Sequence, residues 1–509
     1  MRHSSTRLAS VLLITSALAG PAWAGDWYVD AINGNDSASG TSPASAWKTI
    51  THAVIAVPPG GVETIHIAEG VYSESTGEVF PIRPAPGQQL IGAQGAQRPI
   101  LQSTSEASAL LSFRSLVAQP RIFDAQSRVE RLNLRRANVG IEMLSQAGEV
   151  SPTIVDVRLA RFTVNSITIE AAGGASAPVF ERVETRDSFE FEFSPLLVTG
   201  SGVAVVTARD CFFGESLGPA VRLWAAAHLD FARCTLEAAD AGFELLGGSQ
   251  TQVRLTDSTI AYCDRAFSGG GGEYVFTRCT IANNGWPSEA GSATLRYDHC
   301  IVSESGPVVL TSPSATVEAT RSFISDGSFD GVNGCFSGDP GFRDGPSGDF
   351  RLRWDSPCVD AAFVNAPVGA RDLVGSSRGI DGNLDTLGAT DLGALEFQPL
   401  ELVTSGSIAS PLRLEHWGPQ GAPTVVYWAR AGLVGAQSTP FGASELDQQL
   451  ARTFRVTTAG AGMPNVTQRW IPNQLALVGH TFSFQALTDS SAAPLGKALT
   501  NGVEFTVVP

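Results

Sequence analysis

The feature that most limits this chain is a phrase that returns. FARCTLEAA runs from Phe231, and FTRCTIANN runs from Phe276. Both set a cysteine in one frame: hydrophobic, any, hydrophobic, any, any, cysteine, any, hydrophobic. The frame fits Leu229-Phe231-Cys234-Leu236, Val253-Leu255-Ser258-Ile260, Tyr274-Phe276-Cys279-Ile281 and Leu295-Tyr297-Cys300-Val302. It fits Val317-Ala319-Ser322-Ile324 more loosely, and Cys211 takes the same slot upstream. Val183, Val157 and Leu132 are weaker matches. From Leu132 onward the slots lie 25, 26, 28, 23, 24, 21, 21 and 22 residues apart.

That period is too short for a βαβ crossover and lacks its helix. Alternation on each side of a two-residue break reads as strand, corner, strand. Coils of this length, stacked at a strand spacing of ~4.8 Å, form a parallel β-helix. The cysteine slot then becomes an inward column of Cys211, Cys234, Ser258, Cys279, Cys300 and Ser322. Serine replaces cysteine twice, which suits a small buried slot better than a disulfide or zinc framework. We therefore expect Cys211, Cys234, Cys279 and Cys300 to be buried free thiols. Cys263 has no obvious partner.

Composition agrees with short strands joined by turns: of 509 residues, 43% are hydrophobic, 53 are Gly and 29 are Pro. Arg2, His3 and Arg7 precede the mostly apolar run from Leu8 to Leu18, and Ala22-Trp23-Ala24 is a small-residue cleavage motif. Residues 1–24 thus read as a signal peptide, and the protein as secreted or held at the cell surface. No later stretch has the length and apolar character of a bilayer span. A net charge of -16 disfavours nucleic acid as a partner.

Ahead of the first coil, Trp47, Ile50, Val54 and Val57 have helical spacing, with Ser45 as N-cap and Pro58-Pro59-Gly60 as the stop. A helix there would cover an open strand edge. This segment contains Tyr28-Val29-Asp30, Asn33-Gly34-Asn35-Asp36, Ser39-Gly40-Thr41, Trp47-Lys48-Thr49-Ile50 and Ile65-His66-Ile67-Ala68-Glu69-Gly70-Val71-Tyr72. In these it resembles the opening of DUF1565-type domains, found on secreted right-handed β-helix proteins of the pectin-lyase-like superfamily. The superfamily resemblance covers the coils to about residue 330.

A second resemblance covers about 335–398, through Asp339-Pro340, Asp349-Phe350, Ser356-Pro357-Cys358-Val359-Asp360, Asp381-Gly382-Asn383 and Asp391-Leu392-Gly393-Ala394. It is similar to the choice-of-anchor tail of secreted β-helix proteins, and implies the end of a β-helix, export and surface retention. Beyond it, alternating runs such as Thr481-Phe482-Ser483-Phe484-Gln485 read as a small β-sandwich. The expected class is all-β: a right-handed parallel β-helix with a short N-terminal capping helix and a C-terminal β-sandwich. Its division is signal peptide 1–24, cap and first coils 25–110, coils 111–330, tail 331–398 and sandwich 399–509.

The residue before each slot carries the most suggestive chemistry. Down the stack it runs Arg131, Asp156, Arg182, Asp210, Arg233, Asp257, Arg278, His299, Arg321. One reading is a self-neutralising outer ladder, each exposed pair worth at most about 1 kcal/mol. The other is a groove for an anionic or polyhydroxyl polymer, such as a polysaccharide or cell-envelope glycan. It would be formed by Arg233, Asp257, Arg278, His299 and Arg321, and centred where the alternation fails, from Arg278 to Arg321.

The superfamily includes polysaccharide lyases, many with clustered acids that hold calcium and an Arg or Lys base. Asp210 and Asp257, about 10 Å apart by rung spacing with Arg233 between them, do not match that pattern. Glycosidases need carboxylates about 5–9.5 Å apart. Asp187, Glu190 and Glu192 are locally acidic, as a solvated loop would also be. Two G-x-S-x-G matches, at Gly214 and Gly375, lack the strand–helix context of a nucleophile elbow.

Asp381, Asn383 and Asp385, with Asp391 further on, resemble the start of a calcium loop. Thr386 and Leu392 stand where an EF-hand has Gly and Glu, so a structural calcium site and an Asp/Asn-rich turn both fit. Cys335 and Cys358 lie outside the column in an exported, loop-rich segment, and we expect them to pair. The leading expectation is a carbohydrate-binding or structural protein of the cell exterior without a complete catalytic set. The alternatives are a polysaccharide lyase or glycoside hydrolase acting on the outer face of the coils, and a passive spacer or adhesin.

Overall fold

Each coil consists of three strands that meet at two tight corners. In one coil, Thr153–Val155 leads into Asp156, Arg158–Ala160 follows, Arg161 turns the chain again, and Asn165–Ala171 completes the circuit. We call the three stacks the lead, short and long faces. All their pairings are parallel and in register, so Arg158, Leu159 and Ala160 lie between Asn133, Leu134 and Arg135 below and Glu184, Thr185 and Arg186 above. The short face has eleven strands, from Val71–Tyr72 to Phe323–Ile324. The lead and long faces join into one nineteen-stranded sheet because Arg265–Thr277 and Ser288–Asp298 run through both without a break.

This computed structural model describes residues 25–58, 60–95, 97–105, 107–186, 193–246, 250–286, 288–304, 309–311, 314–362, 367, 369–458 and 464–509. Residues 1–24, expected above to be a signal peptide, and the acidic residues Asp187, Glu190 and Glu192 lie outside them. No helix among the described residues is long and apolar enough to cross a membrane.

The corners have a common backbone. Arg131, Asp156, Arg182, Asp210, Arg233, Asp257, Arg278, His299 and Arg321 are all left-handed, with φ between 42° and 58°. A left-handed L-residue costs roughly 1–2 kcal/mol, so something must hold each corner. From Cys211 to Ser322 the following slot does so. Ser258 Oγ donates to the Thr256 carbonyl across the corner at 2.8 Å and accepts from the Cys234 N–H at 3.0 Å. Ser322 Oγ does the same with the Thr320 carbonyl at 2.8 Å and the Cys300 N–H at 3.0 Å. Cys300 Sγ spans the Asp298 carbonyl at 3.5 Å and the Cys279 N–H at 3.4 Å. From Cys211 onward the slot is therefore a hydrogen-bonding position as well as a packing one, which is why serine and cysteine exchange there, while Leu132, Val157 and Val183 fill it by packing alone. All seven cysteines are buried and unbridged.

The N-terminal edge is closed by backbone. Tyr28 N–H donates to Gly40, Trp47 N–H to Tyr28 and Asp30 N–H to Trp47, each at 2.8 Å. The outermost strand, Gly25–Val29, thus presents no free ladder. The helix Ile50–Ala56 packs behind this segment. Its N-cap is Thr49, whose hydroxyl accepts from the His52 N–H at 3.1 Å, and not Ser45, which ends a separate 3-10 turn. The buried Glu78 carboxylate accepts from the Ile50 and Thr51 N–H groups as a second cap.

At the other end the chain folds back as a tail and then forms two antiparallel sheets. One holds Leu400–Thr404, Pro411–His416 and Asn465–Trp470; the other centres on Pro423–Ala429 and Thr481–Asp489. Leu400, Leu412 and Leu414 of the first face Val426, Phe484 and Ala486 of the second, which makes a sandwich.

Candidate functional site

A three-residue strand points its middle residue inward and its flanks outward. Down the short face the middle residues Leu134, Leu159, Thr185, Phe213, Leu236, Ile260, Ile281 and Val302 are buried in the coil interior. The outward flanks change character along the stack. At the N-terminal end they are Asn133, Arg135, Arg158, Glu184 and Arg186; at the C-terminal end they are Ala261, Ala282, Ile301 and Phe323. This change marks where the tail lies. Ile301 and Phe323 pack with Leu352, Cys358, Val359, Leu392 and Phe397, and Ala261 and Ala282 pack with Phe350. Gly393 sits so close to Thr280 and Ile301 that a Cβ would fall within 3 Å of both, and the Ala394 N–H bonds Thr280 Oγ1 at 2.9 Å.

The tail therefore covers the centre of the corner ladder. Arg278 grips Asp257 with two bonds of 2.8 and 3.0 Å, and Arg378 of the tail reaches the same carboxylate at 2.8 Å. His299 turns one ring nitrogen to the Ala362 carbonyl at 3.2 Å and the other to Asp298 at 2.9 Å. Asp257, Arg278 and His299 thus do not line an open polymer groove. Arg233 is bound to Asp210 at 2.6 and 2.9 Å. Arg321 is exposed beside Gly334 and makes no ion pair among the described residues. The ladder consists of separate pairs, 131 with 156, 210 with 233 and 257 with 278, and is not a continuous alternation.

The uncovered half of the short face is different. Arg135, Arg158, Arg161 and Arg186 line a cleft of about 350 Å³ with Glu184 as its only carboxylate. A smaller cleft of about 240 Å³ continues it past Arg98, Asp156, Arg182 and Asp210. Arg158 bonds Glu184 at 3.0 Å; Arg186 pairs with Glu184 and Glu215 and stacks 4.0 Å above the Phe212 ring. Arg135 donates to the neutral Asn133 side chain at 3.2 Å. Neither Arg135 nor Arg161 has a carboxylate partner among the described residues. Parallel register places these guanidinium groups on adjacent rungs, so they form a row of fixed cationic forks, a geometry suited to carboxylate or phosphate groups. The outward slots of the repeat carry this signal in the sequence, outside the corner column.

The tail's acids hold its own loops. Asp381 accepts from the Asp385 and Thr386 N–H groups at 2.9 and 2.7 Å, and Asn383 accepts from Asp385 at 2.9 Å. Asp385 accepts from the Leu387 N–H at 2.7 Å, while Asp391 accepts from Asp360 and Phe397 at 2.7 and 2.5 Å. These side chains form an Asp/Asn-rich turn whose acids accept from the loop's own backbone N–H groups. Cys335 and Cys358 are both unbridged in this structure. Cys335 packs into the β-helix interior and Cys358 into the cluster beneath the tail, which are separate apolar cores.

Residues 32–103 match the family described as "Protein of unknown function (DUF1565)". No curated protein sequence matches the chain. Among solved structures, pectate lyase Pel9A is similar over 73% of this chain and 96% of its own, with 16% identity and a TM-score of 0.46. The enzymatically active domain of bacteriophage CBA120 tailspike protein 2 is similar over 90% of this chain and 74% of its own, at 9% identity and a TM-score of 0.34. Tailspike protein gp49 of Acinetobacter baumannii bacteriophage Fri1, a capsular polysaccharide depolymerase, is similar over 94% and 86%, at 10% identity and a TM-score of 0.30. The chain is thus a parallel β-helix protein with a match to DUF1565 over residues 32–103.

Proposed function

We propose that this protein is an exported β-helix scaffold that binds an acidic polysaccharide at the cell exterior, in the arginine cleft of the short face. One observation carries the reading. In a chain of net charge -16, four arginines converge on one cleft with a single carboxylate in its lining, and two of them have no acidic partner among the described residues. Overall repulsion would oppose an anionic polymer, so a local row of guanidinium groups supplies the attraction. The cationic n-region, apolar run and Ala22-Trp23-Ala24 motif support export.

The test is retention on immobilised polygalacturonate and alginate, with dextran as the neutral control. We expect binding to the two acidic polymers that falls steeply with salt and is lost in the Arg158→Ala/Arg161→Ala double variant. Equal retention on dextran, or retention unchanged in the double variant, would sink the proposal. Following new unsaturated and reducing ends in the same incubations tests the lyase and hydrolase alternatives.

A further inference from the structure

The sandwich carries a second cleft of opposite character. One face of its five-stranded sheet, with Val426 and Phe484, forms the sandwich core. On the other face Tyr427 stands opposite Gln485 in register. A hairpin of Gln437–Thr439 and Gly442–Ser444 folds over that face. The Gln485 amide ties it down, donating to Ala443 and Thr500 carbonyls at 2.8 and 2.7 Å and accepting from the Glu445 N–H at 3.0 Å. The hairpin tip is held by the Leu499 N–H on the Phe441 carbonyl at 2.7 Å.

Between sheet and hairpin lies a cleft of about 650 Å³ whose lining contains no charged side chain. Tyr427 and Phe441 offer ring surfaces, while Gln437, Ser438 and Gln448 offer amides and a hydroxyl. Because the Gln485 amide is fully engaged, it fixes the floor of the cleft and is not a spare ligand group. A charged ligand would enter without a counter-charge, and a wholly apolar one would leave the polar lining unpaired. A ligand with an apolar C–H face and a rim of uncharged hydroxyls satisfies both parts of the lining.

We propose that this cleft binds a neutral saccharide, independently of the arginine cleft on the β-helix. The test titrates the full chain with cellotriose, maltotriose and xylotriose, with trigalacturonate as the charged control. At least one neutral trisaccharide binds, and trigalacturonate does not displace it. Phe441→Ala weakens that binding by about tenfold or more, equivalent to the loss of one good contact. Ser438→Trp, at an exposed hairpin position, fills the cleft and abolishes binding even if Phe441→Ala disturbs the hairpin fold. The Arg158→Ala/Arg161→Ala variant binds as the parent does, which separates this site from the first. Failure of all three neutral sugars to bind overturns the proposal, as does binding that survives Ser438→Trp or is lost in the arginine double variant.

Discussion

Arg378 of the tail donates to the Asp257 carboxylate at a β-helix corner across 2.8 Å, and its side chain has no solvent exposure. The same guanidinium reaches Glu396 at 3.3 Å and the Gly393 carbonyl at 2.9 Å. The tail is thus pinned to the coils by a buried ion pair next to a tight glycine contact. Its acids in turn hold its loops: Glu396 accepts from the Gly379, Ile380 and Asp391 N–H groups at 2.6, 3.0 and 3.1 Å.

Removing that pin leaves two buried carboxylates short of a partner. Arg378→Ala should destabilise the protein by about 3–5 kcal/mol, the range for breaking one side of a buried pair. Arg378→Lys keeps the charge but not the fork, and should fall between variant and parent. Urea unfolding, with limited proteolysis of the tail, reads the effect. An Arg378→Ala transition that overlays the parent would show that apolar packing alone holds the tail.

The tail should tighten as pH falls. Burial lifts the Asp360 pKa from 3.8 to about 7, against the pull of the Asn383 and Ala389 N–H groups, and the charges of Asp381 and Glu396 push it further up. The folded state therefore holds a proton between about pH 4 and 7 that the unfolded chain has released. This contribution is present below the unfolded value and is lost as pH rises through about 7. Protection of the tail amides, with exchange corrected for its intrinsic base catalysis, should be weaker at pH 8 than at pH 5.5, and Asp360→Asn should reduce the difference.

His416 should act in the opposite sense. It is buried in the sandwich with neither ring nitrogen bonded, and burial lowers its pKa from 6.5 to about 4. The folded state then excludes a proton that the unfolded chain takes up, so stability falls as pH drops from about 6.5 towards 4. His416→Phe removes two unpaired polar atoms. It should leave stability at pH 7 unchanged or higher and flatten the acid limb of the sandwich melt. A large loss at pH 7 would show that His416 has a hydrogen-bonding role.

The slot column makes a sharper chemical prediction. Cys300→Ser should change stability by less than about 1 kcal/mol, because Ser258 and Ser322 already perform the same bridge. Cys300→Ala strips the Cys279 N–H of its partner and should cost about 1–3 kcal/mol. Thiol titration gives a second check. Burial raises the Cys234, Cys263, Cys300 and Cys358 thiols above their usual range. All seven cysteines should resist labelling in the folded protein and react on denaturation without reductant. A count of five would restore the Cys335–Cys358 disulfide.

The sequence by itself determined the coil. A period of 21 to 28 residues with a fixed inward column admits few architectures, because strand alternation and rung spacing are local properties repeated many times. It could not show that the slot residues bridge left-handed corners, since that depends on the backbone of two rungs at once. Tertiary structure alone decided which outer surface is free. Arg278 and His299 stand where the ladder's alternation fails, which in sequence marks a groove, whereas Arg135 and Arg161 lie outside the corner column. Yet the tail, more than sixty residues further along the chain in the case of Leu392 and Phe397, packs over the first pair's end of the short face and leaves the second pair open. The outward flanks Ile301 and Phe323 foreshadow that cover, but an apolar flank says only that something lies on it. What lies there, and which charges it removes from solvent, follows from a long-range contact that no repeat encodes.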